Sequence, residues 1–139
     1  MVKGNRTAAR TPPAKLGRRV AAVKGHLDAL PGATSHPLSV RGATPLALIY
    51  KVMGKMFAIL SVRGDEYVIL KCDPGLSEIL RGQYAGIGHR SHLDRRYWIS
   101  VALDADVPAK EIKRLAAHSY EQVCEKLTRK QKAELATRS

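Results

Sequence analysis

An α/β domain of the α+β type, with an antiparallel sheet packed on its helices, is what this sequence predicts. Three observations predict it. Apolar residues recur with helical spacing near both ends, at Leu16, Val20, Val23, Leu27 and Leu30 and again at Ile112, Leu115, Ala116, Tyr120, Val123 and Leu127. Between these stripes lie short β-rich runs joined by tight turns, the pattern of a meander. The chain is 139 residues long with 45% hydrophobic residues, enough for one domain with its own core.

Taken in order, residues 1–14, with Thr11-Pro12-Pro13, have no core-forming pattern and read as a basic disordered arm. The first helix carries its stripe from Leu16 to Leu30 and ends at Pro31-Gly32. A loop with His36-Pro37 and Gly42 leads into a strand over Leu46–Val52. Met53-Gly54 turns the chain, Gly54 being free to take a positive φ, and the strand returns over 55–62. Arg63-Gly64-Asp65 turns it again into a third strand over 67–72. Asp73-Pro74 then opens a helix, aspartate as N-cap and proline at the first helical position, with Leu76, Ile79, Leu80 and Gln83 along one side. After a polar loop over 88–96 comes a fourth strand, 97–103, and the last helix. Ser119 sits inside that helix's apolar stripe, which calls for a close helix–sheet approach or a buried hydroxyl bond, while His118 points away. The order is α-βββ-α-β-α, with a single domain over 15–127 and a basic tail over 128–139.

The net charge is +12, but it is unevenly placed. Residues 1–25 carry seven basic groups and no acid, and residues 126–139 carry five against Glu134. The intervening hundred residues are balanced to within one charge. Basic arms raise affinity for any polyanion through counterion release without defining a specific site, and they serve equally as solubilising tails. No apolar run reaches the length of a membrane span, and the basic N-terminus lacks the apolar region of a secretory signal. An acid-poor, Arg-rich start has the composition of an organelle transit peptide, yet a cytoplasmic chain is the expectation. Cys72 and Cys124 are too few for a disulfide framework, and each lies in an apolar run, as buried thiols in a reducing compartment do.

Several motifs recur in a fixed order: Leu27-Asp28-Ala29-Leu30-Pro31-Gly32, His36-Pro37, Gly54-Lys55-Met56-Phe57-Ala58, Leu70-Lys71-Cys72-Asp73-Pro74, Tyr84 with Gly86, Arg95-Arg96-Tyr97-Trp98, Leu103-Asp104 with Val107-Pro108, and Ser119-Tyr120. Together they resemble the MmcQ/YjbR family of small bacterial proteins, over roughly three-quarters of the chain. The resemblance implies a CyaY-like fold and the DNA-binding role, through a double wing, with which members are commonly labelled. That family usually has Asn where this chain has Asp94, His where it has Tyr97 and Asn where it has Ile99. The stretch after His36-Pro37 also lacks the usual Phe-Gly. Asp94 therefore adds negative charge to an expected anion site.

The candidate site is the loop His89-Arg90-Ser91-His92-Leu93-Asp94-Arg95-Arg96, the densest polar segment of the balanced middle region. Guanidinium forks match phosphate oxygens, so Arg90, Arg95 and Arg96, with His92, are expected to clamp nucleic-acid phosphates. Lys55 and Lys71 are expected to join them from neighbouring strand ends. Trp98 either offers a stacking face to a base or anchors the core.

His89, His92 and Asp94, with His118 or Cys72, have metal-ligating atoms but no paired ligand spacing, and neither metal nor cofactor is expected. An iron-binding reading by analogy to frataxin would want an acidic ridge, whereas the first helix is basic with Asp28 alone. Cys72 precedes a helix N-terminus, which would favour its thiolate if exposed, but a buried strand-end cysteine is expected and no enzyme is proposed. The runner-up function is a protein- or small-ligand-binding module. In 55–62, Met56, Ala58, Leu60 and Val62 alternate with Phe57, Ile59 and Ser61, so both sheet faces are largely apolar and one could dock a partner. The expected partner is DNA, with the protein a monomer or weak homodimer.

Overall fold

The computed structural model describes residues 16–39 and 45–138; the arm expected over 1–14 and Gly42 lie outside them. The elements are α1 (Arg18–Asp28), β1 (Ala33–Leu38), β2 (Ala47–Val52), β3 (Lys55–Ser61), β4 (Tyr67–Lys71), α2 (Pro74–Gln83), β5 (Ile87–Gly88), β6 (Trp98–Ala102), α3 (Ala109–Cys124) and α4 (Arg129–Arg138). The strands form one sheet in the order β1-β2-β3-β4-β6-β5, with every neighbouring pair antiparallel. This is the expected α+β architecture of helices on an antiparallel sheet, with β1, β5 and α4 added to the elements read from the sequence.

The two predicted helical stripes become the inner faces of α1 and α3. Val20, Val23 and Leu27 are buried from α1, and Ile112, Leu115, Ala116 and Val123 from α3. They close over Tyr50, Val52, Leu60, Val68 and Leu70 on one face of the sheet. Burying this apolar area is the main force holding the layers together. Tyr50 keeps its hydroxyl satisfied there by donating to Asp28 Oδ1 at 2.7 Å, which ties the end of α1 to β2.

The β2–β3 turn is the two-residue type expected. Met53 and Gly54 have φ of 50° and 79°, the positive pair that matches the twist of an antiparallel hairpin. β3 then departs from simple alternation. Tyr50 pairs with Ala58 and Lys51 with Met56, so Phe57 is an unpaired bulge residue. Phe57 consequently joins Ala58 on the helix side, fully buried, where its ring packs edge-on to Tyr120 at 5.5 Å between centroids. The two-sided apolar strand read from the sequence is thus a bulged strand with its largest side chain turned into the core.

Asp73 caps α2 as predicted, accepting from the Leu76 N–H at 3.2 Å with Pro74 in the first turn. The inner face of α2 is Ser77 and Leu80, while Ile79, expected there, is exposed. The segment expected as a basic tail contains α4. Thr128 and Gln131 cap it reciprocally, Gln131 N–H to Thr128 Oγ1 at 3.1 Å and Thr128 N–H to Gln131 Oε1 at 3.0 Å, and Leu135 packs onto the core. No helix among the described residues is long and apolar enough to cross a membrane.

Candidate nucleic-acid interface

Antiparallel pairing places Lys71 directly across from Trp98, so both project from the sheet face opposite α1 and α3. Trp98, Ile69 and Ser100 on that face are nonetheless buried, at 8%, 5% and 5% exposure. Arg90 crosses the same region: its guanidinium lies 4.2 Å from the Tyr67 ring centroid and 3.2 Å from Asp65 Oδ2. Lys71 Nζ lies 5.6 Å from the Trp98 ring centroid. Trp98 is therefore an anchor beneath Lys71, and the exposed aromatic of this region is Tyr97, with the Arg96 guanidinium 5.3 Å from its ring.

The loop between β5 and β6 is held by its own side chains. His89 Nε2 donates to the Leu93 carbonyl at 2.6 Å, and Ser91 Oγ accepts from the Leu93 N–H at 3.2 Å. Asp94 takes three bonds from Arg96: the backbone N–H at 2.9 Å, Nε at 3.1 Å and Nη2 at 2.7 Å. The Arg96 guanidinium, followed by its backbone N–H, holds the Asp94 carboxyl down at about 2.

Arg81, on the last turn of α2, is the organising residue that sequence reasoning missed. Beyond Gly88, β5 no longer accompanies β6, and the outward carbonyl of Trp98 has no ladder partner. Arg81 Nη2 donates to it at 3.0 Å and also to the carbonyl of Arg95. Burial, reinforced by the nearby Arg95 charge, lowers the Arg81 pKa from its ordinary value. Its position among helix-compatible polar residues carries no sequence signal, because the carbonyls it serves come from a distant loop.

This clamp brings Arg81, Arg95 and Arg96 around one open cleft of about 440 Å³, whose lining is completed by Pro74, Gly75 and Glu78 from α2. Among the described residues, the Arg95 guanidinium has no acidic or hydrogen-bonding partner. The other candidates are spread out. Lys55 pairs with Val52, a helix-side residue, so it projects from the face opposite Lys71. His92 is exposed on the loop, and Arg90 is committed to Asp65 and Tyr67.

The metal-capable atoms are also occupied or dispersed: His118 Nε2 accepts from the Asp73 N–H at 3.4 Å, Asp94 serves Arg96, and no group of three ligating side chains occurs among the described residues. Cys72 is buried, and burial, above all, raises its thiol pKa.

The family described as YjbR matches residues 28–122, more than half of the chain and every element from the end of α1 through most of α3. The chain belongs to the YjbR family. The match includes the Arg81 clamp and the whole arginine cleft. Among curated relatives, the uncharacterized protein YjbR of Escherichia coli K12 is 36% identical over 73 residues, which is 52% of this chain and 62% of that protein. The same figures hold for its counterpart in Escherichia coli O157:H7. Less than two thirds of the length of these relatives is therefore matched.

A crystal structure of a Deinococcus radiodurans protein, described as domain DUF419, superposes with a TM-score of 0.72 at 28% identity and covers 92% of each chain. A Pseudomonas syringae protein superposes with a TM-score of 0.57 at 21% identity, over 77% of this chain and 98% of that one, and shows the shared fold.

Proposed function

We propose that this YjbR-family chain is a non-enzymatic nucleic-acid-binding protein, with DNA as its partner, that acts in the cytoplasm as a monomer or weak homodimer. The observation that carries this reading is the convergence of Arg81, Arg95 and Arg96 on one open cleft whose lining holds one carboxylate, Glu78, with Asp94 pairing Arg96 from outside that lining. Such a cluster suits phosphate oxygens, which guanidinium groups bind as forks and with release of condensed counterions. Lys71 supports it from the adjacent strand end. Lys55, on the opposite sheet face, and His92, exposed on the loop, stand outside the cleft and contribute general positive charge. Trp98 supports the surface from beneath. Phosphate binding with little base readout is the resulting mode, and the basic ends add affinity of the same sequence-independent kind.

The test is a fluorescence titration of labelled duplex and single-stranded DNA over a range of salt. The full chain, a chain shortened to 16–139, and the full-length double variant Arg95→Ala/Arg96→Ala are compared. The shortened form keeps α1, whose Val20, Val23 and Leu27 complete the core. Two results together support the cleft: binding that persists in 16–139, and a salt slope that falls by about one for each phosphate the double variant no longer neutralises. Complete loss of affinity with residues 1–15 sinks it.

A further inference from the structure

A second cavity, of about 230 Å³, opens between α1, the β6–α3 turn and the start of α3, and shares no residue with the arginine cleft. Its floor is aliphatic, from Val23, Leu103, Val107 and Ile112, and its lining contains no acid. Arg18, Arg19 and His26 stand along it from α1, and among the described residues none of the three has an ion-pair or hydrogen-bond partner.

The wall is built rather than incidental. Asp106 accepts from the Ala85 and Gly86 N–H groups at 2.8 and 2.7 Å, which pins the turn that carries Ala105 and Val107. The approach there is so close that a Cβ on Gly86 would lie 2.7 Å from the Ala105 Cβ. The Asp106 carboxylate is thereby turned onto amides, and those two N–H groups hold its pKa below the ordinary value.

We infer that this cavity binds a small aliphatic carboxylate, its chain on the Val23–Ile112 floor and its carboxylate against Arg18 and Arg19. Charge decides the occupant. The segment over 1–15 is basic without one acid, and a second copy carries the same +12 excess, so both are repelled by this rim. The volume falls below the roughly 300–1,000 Å³ of sites for drug-sized ligands, which suits a single short chain. The lining has no Trp, Tyr or Phe on which a base could stack, so a nucleotide is a poor fit.

Octanoate is the probe, titrated calorimetrically into the full chain below its micellar range, with amide chemical shifts followed in parallel. Saturable one-to-one binding is expected, with shifts centred on Val23, Leu103, Val107 and Ile112. Octanol, with the same chain and no charge, is expected to bind at least tenfold more weakly. Arg18→Gln/Arg19→Gln should weaken octanoate about tenfold. Ala22→Phe, at an exposed position on the rim that leaves the core intact, should abolish binding by filling the space. Non-saturating uptake, octanol as tight as octanoate, or binding untouched by Ala22→Phe would overturn the inference. So would binding seen only after removal of 1–15, which assigns the cavity to that segment, or competition by a short oligonucleotide, which makes it part of the nucleic-acid surface.

Discussion

The hydroxyl of Ser119 stands between two strands and joins them, donating to the Phe57 carbonyl at 2.5 Å and accepting from the Lys71 N–H at 2.8 Å. The β3–β4 register, Ala58 with Leu70 and Ile59 with Ile69, would place Phe57 opposite Lys71 if continued by one residue. The bulge at Phe57 ends the ladder there, and a side chain from α3 takes over the missing link. One buried serine thus repairs the sheet, fixes α3 against it and sets the strand end from which Lys71 projects.

Replacing Ser119 by alanine strands a buried carbonyl and a part-buried N–H at once. A loss of about 1–3 kcal/mol in unfolding free energy is expected, the typical cost of leaving a buried polar group unsatisfied. Urea unfolding followed by circular dichroism measures it. A change under about 0.5 kcal/mol, the range of neutral surface substitutions, would mean that β3 and β4 close the gap themselves.

Much of this was legible in the sequence for a simple reason: α1 and α3 each bury one stripe, which writes helical periodicity. β2, β3 and β4 are short, largely apolar runs bounded by the turns at Met53-Gly54 and Arg63-Gly64-Asp65. Ser119 stood out because it interrupts such a stripe. β1 was hidden because Thr34-Ser35-His36-Pro37 reads as loop; it is an exposed edge strand, where polar residues and proline are tolerated. α4 was hidden because it buries little, and the Thr128–Gln131 capping pair that starts it lies within a segment that reads as a basic tail. The bulge at Phe57 left no local mark and reversed the face assigned to its side chain. In the candidate site, the loop arginines were visible, but their commitments were not. Arg90 to Asp65 spans 25 residues, and Arg81 meets carbonyls 14 and 17 residues away. Such pairings exist only once the sheet edge is formed.

Arg81 should behave as a positioning residue for the arginine cleft. Arg81→Met keeps much of the aliphatic stem and removes the donor to the Trp98 and Arg95 carbonyls. Faster amide exchange over 95–98 is expected, together with a stability loss of about 1 kcal/mol for the part-buried Trp98 carbonyl left without its donor. Phosphate affinity should fall by more than the loss of one charge, because Arg95 and Arg96 lose their fixed direction. Unchanged exchange at 95–98 would show that the loop is held without the clamp.

The thiols should differ in reach. Cys72 is 1% exposed and Cys124 is partly exposed, and burial is the leading cause that raises the pKa of each. Both are therefore poor nucleophiles near neutrality, so iodoacetamide at pH 8 should label Cys124 slowly and Cys72 only in denaturant. Peptide mass spectrometry reads the two sites separately. Comparable native labelling of Cys72 would reveal an opening at the start of α2 that the packing around Leu80 does not suggest.

Asp94 restrains the very arginine that a phosphate would recruit. Its bonds from the Arg96 guanidinium and N–H hold its pKa at about 2, below the ordinary aspartate value of ~3.9. A depressed folded-state pKa contributes stability above the unfolded value and loses it as pH falls through the folded one, so the pair weakens from roughly pH 4 toward pH 2. Carboxyl-detected NMR on the full chain should place the Asp94 midpoint near 2 and return Arg96 to an unpaired signal below it. At neutral pH the same release comes from Asp94→Asn, which removes the competing charge and frees the Arg96 fork. DNA affinity at low salt should then rise several-fold, with the salt slope steeper by about one as a further phosphate is neutralised. If Asp94→Asn leaves affinity and slope unchanged, Arg96 does not meet phosphate, and the cleft must work through Arg81 and Arg95 alone or not at all.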